Sequence, residues 1–226
     1  MEFLFDSANL EAIETYSKIF PITGITSNPS ILKAEGKIDL FSHLRKIRNL
    51  IGSDKTLHVQ VVAEDWECMV QEAHAILKNV DDQVYIKVPT TEEGLKAIRA
   101  LKAENVNITA TAIYTKIQGF MAIAAGADFI APYYNRMENL DIDSSSTVKV
   151  FREMIDKNES STKILAASFK NTAQVISALL AGAHAVTVQP NLLHEAFGAA
   201  AIKKAVDDFH ADWIKTQGEV SIADLR

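Results

Sequence analysis

Eight short apolar runs alternate with segments of helical periodicity along a chain of 226 residues, and no linker or low-complexity stretch interrupts them. This alternation predicts an α/β protein folded as a single-domain (β/α)8 TIM barrel over residues 1–226. An open doubly wound sheet is the competing arrangement, and it would favour a glycine-rich first turn. The chain has nine glycines and no G-x-G-x-x-G or G-x-x-x-x-G-K spacing, so the barrel is preferred.

The runs fall at 3–5, 24–27, 57–63, 84–88, 108–113, 129–134, 164–169 and 185–189. Between them, apolar residues recur at helical spacing, as in Leu10, Ile13, Tyr16 and Ile19, or Leu40, Leu44, Ile47, Leu50 and Ile51. Met69, Ala73, Ile76 and Leu77 continue the series, followed by Leu95, Ile98 and Leu101, then Ile117, Phe120, Met121 and Ala124. Residues 147–155, 172–180 and about 192–215 complete it. Thr91 followed by Glu92 and Glu93 marks a helix start with acids in its first turn. Asn171-Thr172 is a second expected cap. The pairs Gly126-Ala127 and Gly182-Ala183 are expected to end helices immediately before the sixth and eighth strands.

Composition narrows the function. A hydrophobic share of 48% with 23% charged residues suits a globular chain with a large core, and a net charge of −6 with scattered basic residues argues against nucleic acid. The apolar runs are too short to cross a membrane, and the acid-interrupted start does not read as a signal peptide. The single cysteine, Cys68, allows no disulfide within the chain; it is expected in the core, and the chain in the cytoplasm. No metal or other cofactor is expected. His43, His58, His74, His184, His194 and His210 form no ligand-spaced pair, and Asp141 and Asp143 lack the rest of a calcium loop.

The centre of interest is Lys87, in the middle of Val84-Tyr85-Ile86-Lys87-Val88-Pro89, where a strand buried on both faces should be apolar. Such a lysine either snorkels to solvent or is buried with a lowered pKa, and the second state suits attack on a carbonyl. Other strand ends add Asp6, Thr26-Ser27-Asn28, Gln60, Thr109 and Thr111, Tyr133, Asn135 and Arg136, and Ser168 with Lys170. Singly, Asp6 and Asn28 read as caps, Gln60, Thr111 and Ser168 as satisfied core polar groups, and Arg136 as a surface charge. Polar groups on seven of eight strands around one lysine are better explained by a site at the carboxyl ends of the strands. A carboxylate, an amine and a phenol together supply proton transfer around a Schiff base, and an arginine beside hydroxyls supplies a phosphate site.

On these residues the chain resembles the transaldolase family, most closely its small single-domain branch that includes fructose-6-phosphate aldolase. The resemblance runs from Phe3 to about Trp213. It is carried by Phe5-Asp6-Ser7-Ala8-Asn9, Gly24-Ile25-Thr26-Ser27-Asn28-Pro29-Ser30-Ile31, the lysine strand, Thr109-Ala110-Thr111-Ala112, Ala131-Pro132-Tyr133-Tyr134-Asn135-Arg136 and Ala166-Ala167-Ser168-Phe169-Lys170. It implies a metal-independent class I aldolase. Lys87 would form the Schiff base, Asp6 would move protons and bind a hydroxyl, and Thr111 and Gln60 would position a water. Thr26, Ser27, Asn28 and Ala131 would line the sugar site, while Arg136 and Ser168 would hold a phosphate. The small-molecule partners implied are sugar phosphates and ketones of carbohydrate metabolism, around the pentose phosphate pathway.

Transaldolases proper resemble one another in carrying glutamate at the place of Gln60 and phenylalanine at that of Tyr133, so the resemblance favours the aldolase branch. Transfer of a dihydroxyacetone unit between sugar phosphates is the alternative. An inactive barrel serving as a sugar-phosphate scaffold would be expected to show an interrupted site. Ser27 departs mildly from a motif that often has threonine, loop 137–146 lacks the usual glycines, and Gln189-Pro190-Asn191 differs from the usual run. The helix expected at about 199–215 carries Ile202, Ala205, Val206, Phe209 and Trp213 on one stripe. The resemblance implies that it packs on a neighbouring subunit of a homo-oligomer, a pentamer or decamer.

Overall fold

The computed structural model describes residues 1–225. Eight parallel strands close into a barrel in chain order: β1 (Glu2–Asp6), β2 (Gly24–Thr26), β3 (Thr56–Gln60), β4 (Tyr85–Pro89), β5 (Ile108–Ile113), β6 (Phe129–Pro132), β7 (Lys163–Ala166) and β8 (Ala185–Val188), with β8 pairing back onto β1. The helices are α1 (Leu10–Ser17), α2 (Pro29–Ala34), α3 (Leu40–Ile51), α4 (Trp66–Asn79), α5 (Glu92–Ala103), α6 (Lys116–Ala124), α7 (Tyr134–Glu138), α8 (Ser144–Lys157), α9 (Thr172–Leu180), α10 (Pro190–Phe197) and α11 (Ala200–Gln217). The (β/α)8 barrel expected from the sequence is the fold found. No helix among the described residues is long and apolar enough to cross a membrane.

The chain divides into two compact units, Met1–Pro190 and Asn191–Arg226. All eight strands lie in the first. Its core has the two-sided burial of a parallel sheet: outward residues such as Ile25, Val59, Ile86, Val88 and Ile130 meet the helices, and inward residues fill the barrel. Leu4, Phe129, Leu165 and Ala185 pack together there, with Tyr85 against them. His58 stacks on Tyr85, ring centroids 4.7 Å apart, and lies edge-on to Phe129 at 5.3 Å. Side chains alternate along a strand, so positions two residues farther along share a face. Leu4 is therefore followed by Asp6, Tyr85 by Lys87, His58 by Gln60, Phe129 by Ala131 and Ala185 by Thr187. The apolar layer is the floor on which a polar layer stands.

Local signals place the helices. The Thr91 hydroxyl accepts from Gly94 N at 3.0 Å and Asn171 Oδ1 from Gln174 N at 2.9 Å, the two caps expected. Gly126 and Gly182 have φ of +84° and +104°, the left-handed turn that releases the chain into β6 and β8. Five runs are longer in sequence than the strands they yield. Residues 27, 61–63, 133–134, 167–169 and 189 lie beyond the strand ends, where only the isolated bridge between Tyr133 and Ala167 continues the pairing among the described residues. Asn28 caps the short helix α2 through Ile31 N at 3.1 Å, and Tyr134 begins α7; both helices are too short for periodicity to reveal. Cys68, expected in the core, is exposed on α4, because its position lies off the stripe of Met69, Ala73 and Ile76.

In the second unit no residue of α11 is buried, and Ile202, Val206 and Phe209 are exposed. Lys203–Asp207 and Lys204–Asp208 form i,i+4 ion pairs along it, and Trp213 Nε1 donates to Val220 O at 2.8 Å.

Gly94 marks the tightest approach of α5 to the end of β4, where a Cβ would collide with the carbonyl oxygen of Pro89. Gly94→Ala is expected to destabilise the protein by about 1–3 kcal/mol. Gly36→Ala, at φ +74° with open space around it, is expected to cost about 1 kcal/mol. Urea unfolding midpoints measure both, and a smaller loss in Gly94→Ala than in Gly36→Ala would contradict this packing.

Candidate active site

Lys87 lies inside the barrel and is only 4% exposed. Its backbone is in register with Gln60 on β3 and Thr109 on β5, so its neighbours on either strand are polar. The amine donates to the carbonyl oxygen of Ser27 at 2.8 Å. Burial lowers its pKa from the ordinary lysine value, against the opposing pull of the Asp6 charge. Of the two readings of this lysine, the structure shows the buried one.

On one side of Lys87 stands a chain of hydroxyls. The Thr26 hydroxyl lies 2.7 Å from Asp6 Oδ1, to which it donates, and 2.7 Å from the Thr187 hydroxyl. Asp6 keeps part of its surface open toward the end of β1, yet enough protein surrounds it for burial to dominate. Burial raises the carboxyl above its ordinary value, although Lys87, the Thr26 hydroxyl and Arg136 all pull it down. Lys87 is thus shifted toward the neutral amine that can attack carbon, and the Asp6 carboxylate is made more basic, so that it takes up a proton more readily.

On the other side, the Thr111 hydroxyl and the Tyr133 phenol are 3.0 Å apart. Tyr133 is 9% exposed, and burial holds its phenol above the ordinary value, against the bond to Thr111 and the Arg136 charge. A phenol kept protonated is a proton donor. Thr111 reaches it through an irregularity in β5. Ala110 pairs with Ile130 and Ile113 with Pro132, so β5 carries one extra residue there, and Ala112 takes φ +56°. A bulge of this kind re-aims a side chain at the end of a barrel strand. Ala131, on the same face of β6 as Tyr133, is buried and small.

Arg136 on α7 is exposed, with its Cζ 4.7 Å from the Tyr133 ring centroid and Nη1 donating to the Tyr114 hydroxyl at 3.2 Å. Ser168 follows β7 with φ +65°, and its carbonyl accepts from Asn135 N at 3.0 Å. Its neighbour Ala167 bridges to Tyr133. Ser168 and Arg136 are brought to adjoining strand ends, while no hydrogen bond joins them among the described residues. Asn28 adjoins Ser27, its Oδ1 committed to the α2 cap. Gln60 Oε1 is buried with no protein partner, an acceptor that a substrate hydroxyl or a water can satisfy.

All eleven candidate residues therefore sit on or just beyond the carboxyl ends of the strands. Thr187 and Tyr114, which the sequence did not single out, touch two of them, Thr26 and Arg136. Thr187 makes β8 a contributor as well; its signal was a hydroxyl in the otherwise apolar run Ala185–Val188. Tyr114 was hidden one residue past the end of β5. His58, inside the barrel, bonds Thr109 Oγ1 at 2.8 Å and Thr56 Oγ1 at 3.0 Å. Burial, then the Lys87 and Arg48 charges, lower its pKa well below the ordinary value, so it is neutral. Among the described residues no group of three or more His, Cys, Asp or Glu is placed to hold a metal ion.

The depressed lysine carries a sign for stability. Lys87 binds its proton less tightly in the folded than in the unfolded chain, so stability is withheld at lower pH. It is regained as pH rises from the depressed value to the ordinary lysine range. Lys87→Met is expected to remove that rise. Urea unfolding of both proteins across the alkaline range measures the difference, and parallel curves would contradict a depressed lysine.

Comparison with known proteins shows the family. A family model described as Transaldolase/Fructose-6-phosphate aldolase matches residues 3–223. A protein of Streptococcus pneumoniae (strain ATCC 700669 / Spain 23F-1) named "Probable fructose-6-phosphate aldolase" is 53% identical over 222 residues, spanning 98% of this chain and 100% of its own. Among solved structures, a cube-shaped porous protein cage designed by fusing symmetric oligomeric domains aligns with a TM-score of 0.59 at 11% identity, covering 94% of this chain and 78% of that one. The last is a likeness of fold alone. The family match and the curated relative both extend over nearly the whole chain, and the chain belongs to the transaldolase/fructose-6-phosphate aldolase family, as a lyase of the aldolase/transaldolase type.

Proposed function

We propose that the protein is a class I aldolase that interconverts fructose 6-phosphate with dihydroxyacetone and glyceraldehyde 3-phosphate through a Schiff base on Lys87. The observation that carries the reading is the Tyr133 phenol, bonded to Thr111 and held protonated inside the barrel that buries Lys87. The name of the pneumococcal relative supports the same substrate.

In this reading the Lys87 amine adds to the ketone carbon of the sugar, and loss of water leaves an iminium. Asp6, its carboxyl poised by burial, accepts the proton of the C4 hydroxyl. The C3–C4 bond breaks, glyceraldehyde 3-phosphate departs as the aldehyde, and the bonding electrons pass to the iminium as an enamine. A water held by Thr111 and Gln60 relays a proton from Tyr133 to the carbanionic carbon, and hydrolysis frees dihydroxyacetone and Lys87. Thr26, Ser27, Asn28 and Ala131 line the sugar site. Arg136 and Ser168 take the phosphate, the guanidinium offering a fork that matches its oxygens. No cofactor enters the cycle.

Transaldolase activity is the second reading, and the family description names it. The two differ in the fate of the enamine, so the phenol decides between them. Release of glyceraldehyde 3-phosphate from fructose 6-phosphate, with no acceptor aldehyde present, is expected over many turnovers. Turnover only after erythrose 4-phosphate is added would overturn the aldolase reading. Tyr133→Phe is expected to slow release by about 10²-fold while transfer to the acceptor persists. Borohydride should trap the sugar on the wild-type protein and not on Lys87→Met.

We also infer that the protein is a homo-oligomer, a pentamer or decamer, in which α11 packs on a neighbouring copy. Support comes from the exposed apolar residues Ile202, Val206 and Phe209. Phe209→Glu is expected to reduce the mass measured by light scattering to that of smaller species, and an unchanged mass would count against this contact. The single cysteine, which permits no internal disulfide, supports a place in the cytoplasm.

A further inference from the structure

We propose that Tyr114 is a positioning residue that aims the Arg136 guanidinium at the phosphate of the aldehyde, a proposal that rests on the reading of Arg136 as the phosphate-binding residue. Arg136 is exposed on a helix of five residues, Tyr134–Glu138. A free arginine there would spread over many rotamers, and ordering it on binding would cost affinity. Two tyrosines restrict it. Its Cζ lies 4.7 Å from the Tyr133 ring centroid, and Nη1 donates to the Tyr114 hydroxyl at 3.2 Å. One direction is fixed by the ring and the other by the hydroxyl.

Tyr114 is itself well anchored. Its backbone N–H donates to Gln118 Oε1 at 3.0 Å, and its ring meets that of Tyr133 edge to face, centroids 5.7 Å apart at 70°. The hydroxyl therefore hangs from a fixed point at the end of β5 and holds one arm of the guanidinium. The remaining N–H donors of the fork stay available for phosphate oxygens. The ring and the hydroxyl do separable jobs. The ring packs on Tyr133; only the hydroxyl touches Arg136. Preorganisation of this kind acts on binding of the phosphorylated half of the substrate and leaves bond cleavage alone.

Tyr114→Phe deletes the hydroxyl and keeps the ring, so it isolates this role. In the addition direction, with dihydroxyacetone as donor, the variant is expected to raise KM for glyceraldehyde 3-phosphate by about 3- to 10-fold. Its kcat should stay within about twofold, and its KM for unphosphorylated glyceraldehyde should not change. Arg136→Met, assayed beside it, should show a larger rise for the phosphorylated aldehyde only. An unchanged KM in Tyr114→Phe, or an equal rise for both aldehydes, would overturn the positioning role while the Arg136 result upholds the phosphate site. An Arg136→Met protein whose KM rises equally for both aldehydes, or for neither, would overturn both readings.

Discussion

Placing the amine of Lys87 inside a closed parallel barrel is the constraint from which the rest of the site follows. Desolvating an ammonium costs on the order of several kcal/mol even after the protein relaxes. The structure meets that cost with the Ser27 carbonyl 2.8 Å away, the charge of Asp6, and a shift of the amine toward its neutral form. Polar residues at the same level of the neighbouring strands, Gln60 and Thr109, keep the surroundings from being wholly apolar. The aromatic and aliphatic layer beneath, from Leu4 to Phe129 and Tyr85, closes the floor.

Two polar networks flank the lysine and differ in kind. Thr187, Thr26 and Asp6 form a line of short hydroxyl contacts ending on a carboxyl that is held toward its neutral form. Thr111, Tyr133, Arg136 and Tyr114 form a line running from the buried interior to the exposed surface, ending on a permanent cation. The first has the character of a proton store and the second of a proton donor tied to an anion anchor.

The barrel was legible in the sequence because its signals are local: apolar runs, helix periodicity, Thr91 and Asn171 at their caps, Gly126 and Gly182 at their turns. The candidate site was legible because polar residues inside strands meant to be apolar are conspicuous, Lys87 most of all. Thr187 and Tyr114 were not, since a threonine in a strand and a tyrosine after one look ordinary until the chain is closed on itself. The same holds for His58, whose neutrality comes from burial and from the charges of Lys87 and Arg48. The exposure of Cys68 depended on helical phase, a matter of one position beside Met69. The positive φ of Ala112 and Ser168 left no mark at all, because neither residue is a glycine.

That extra residue in β5 has a consequence of its own. Thr111 and Ala112 together stand opposite the single residue Ala131, so the strand is out of step with β6 beyond this point. Before it, Ile108 to Ala110 belong to the packing of the barrel wall; after it, Ile113 and Tyr114 keep a different phase. The strand is in effect two short words joined by a hyphen. Changes that repack the wall need not propagate to the mouth, and changes at the mouth need not loosen the wall. A scaffold jointed in this way can vary what it recognises while its foundation stays still.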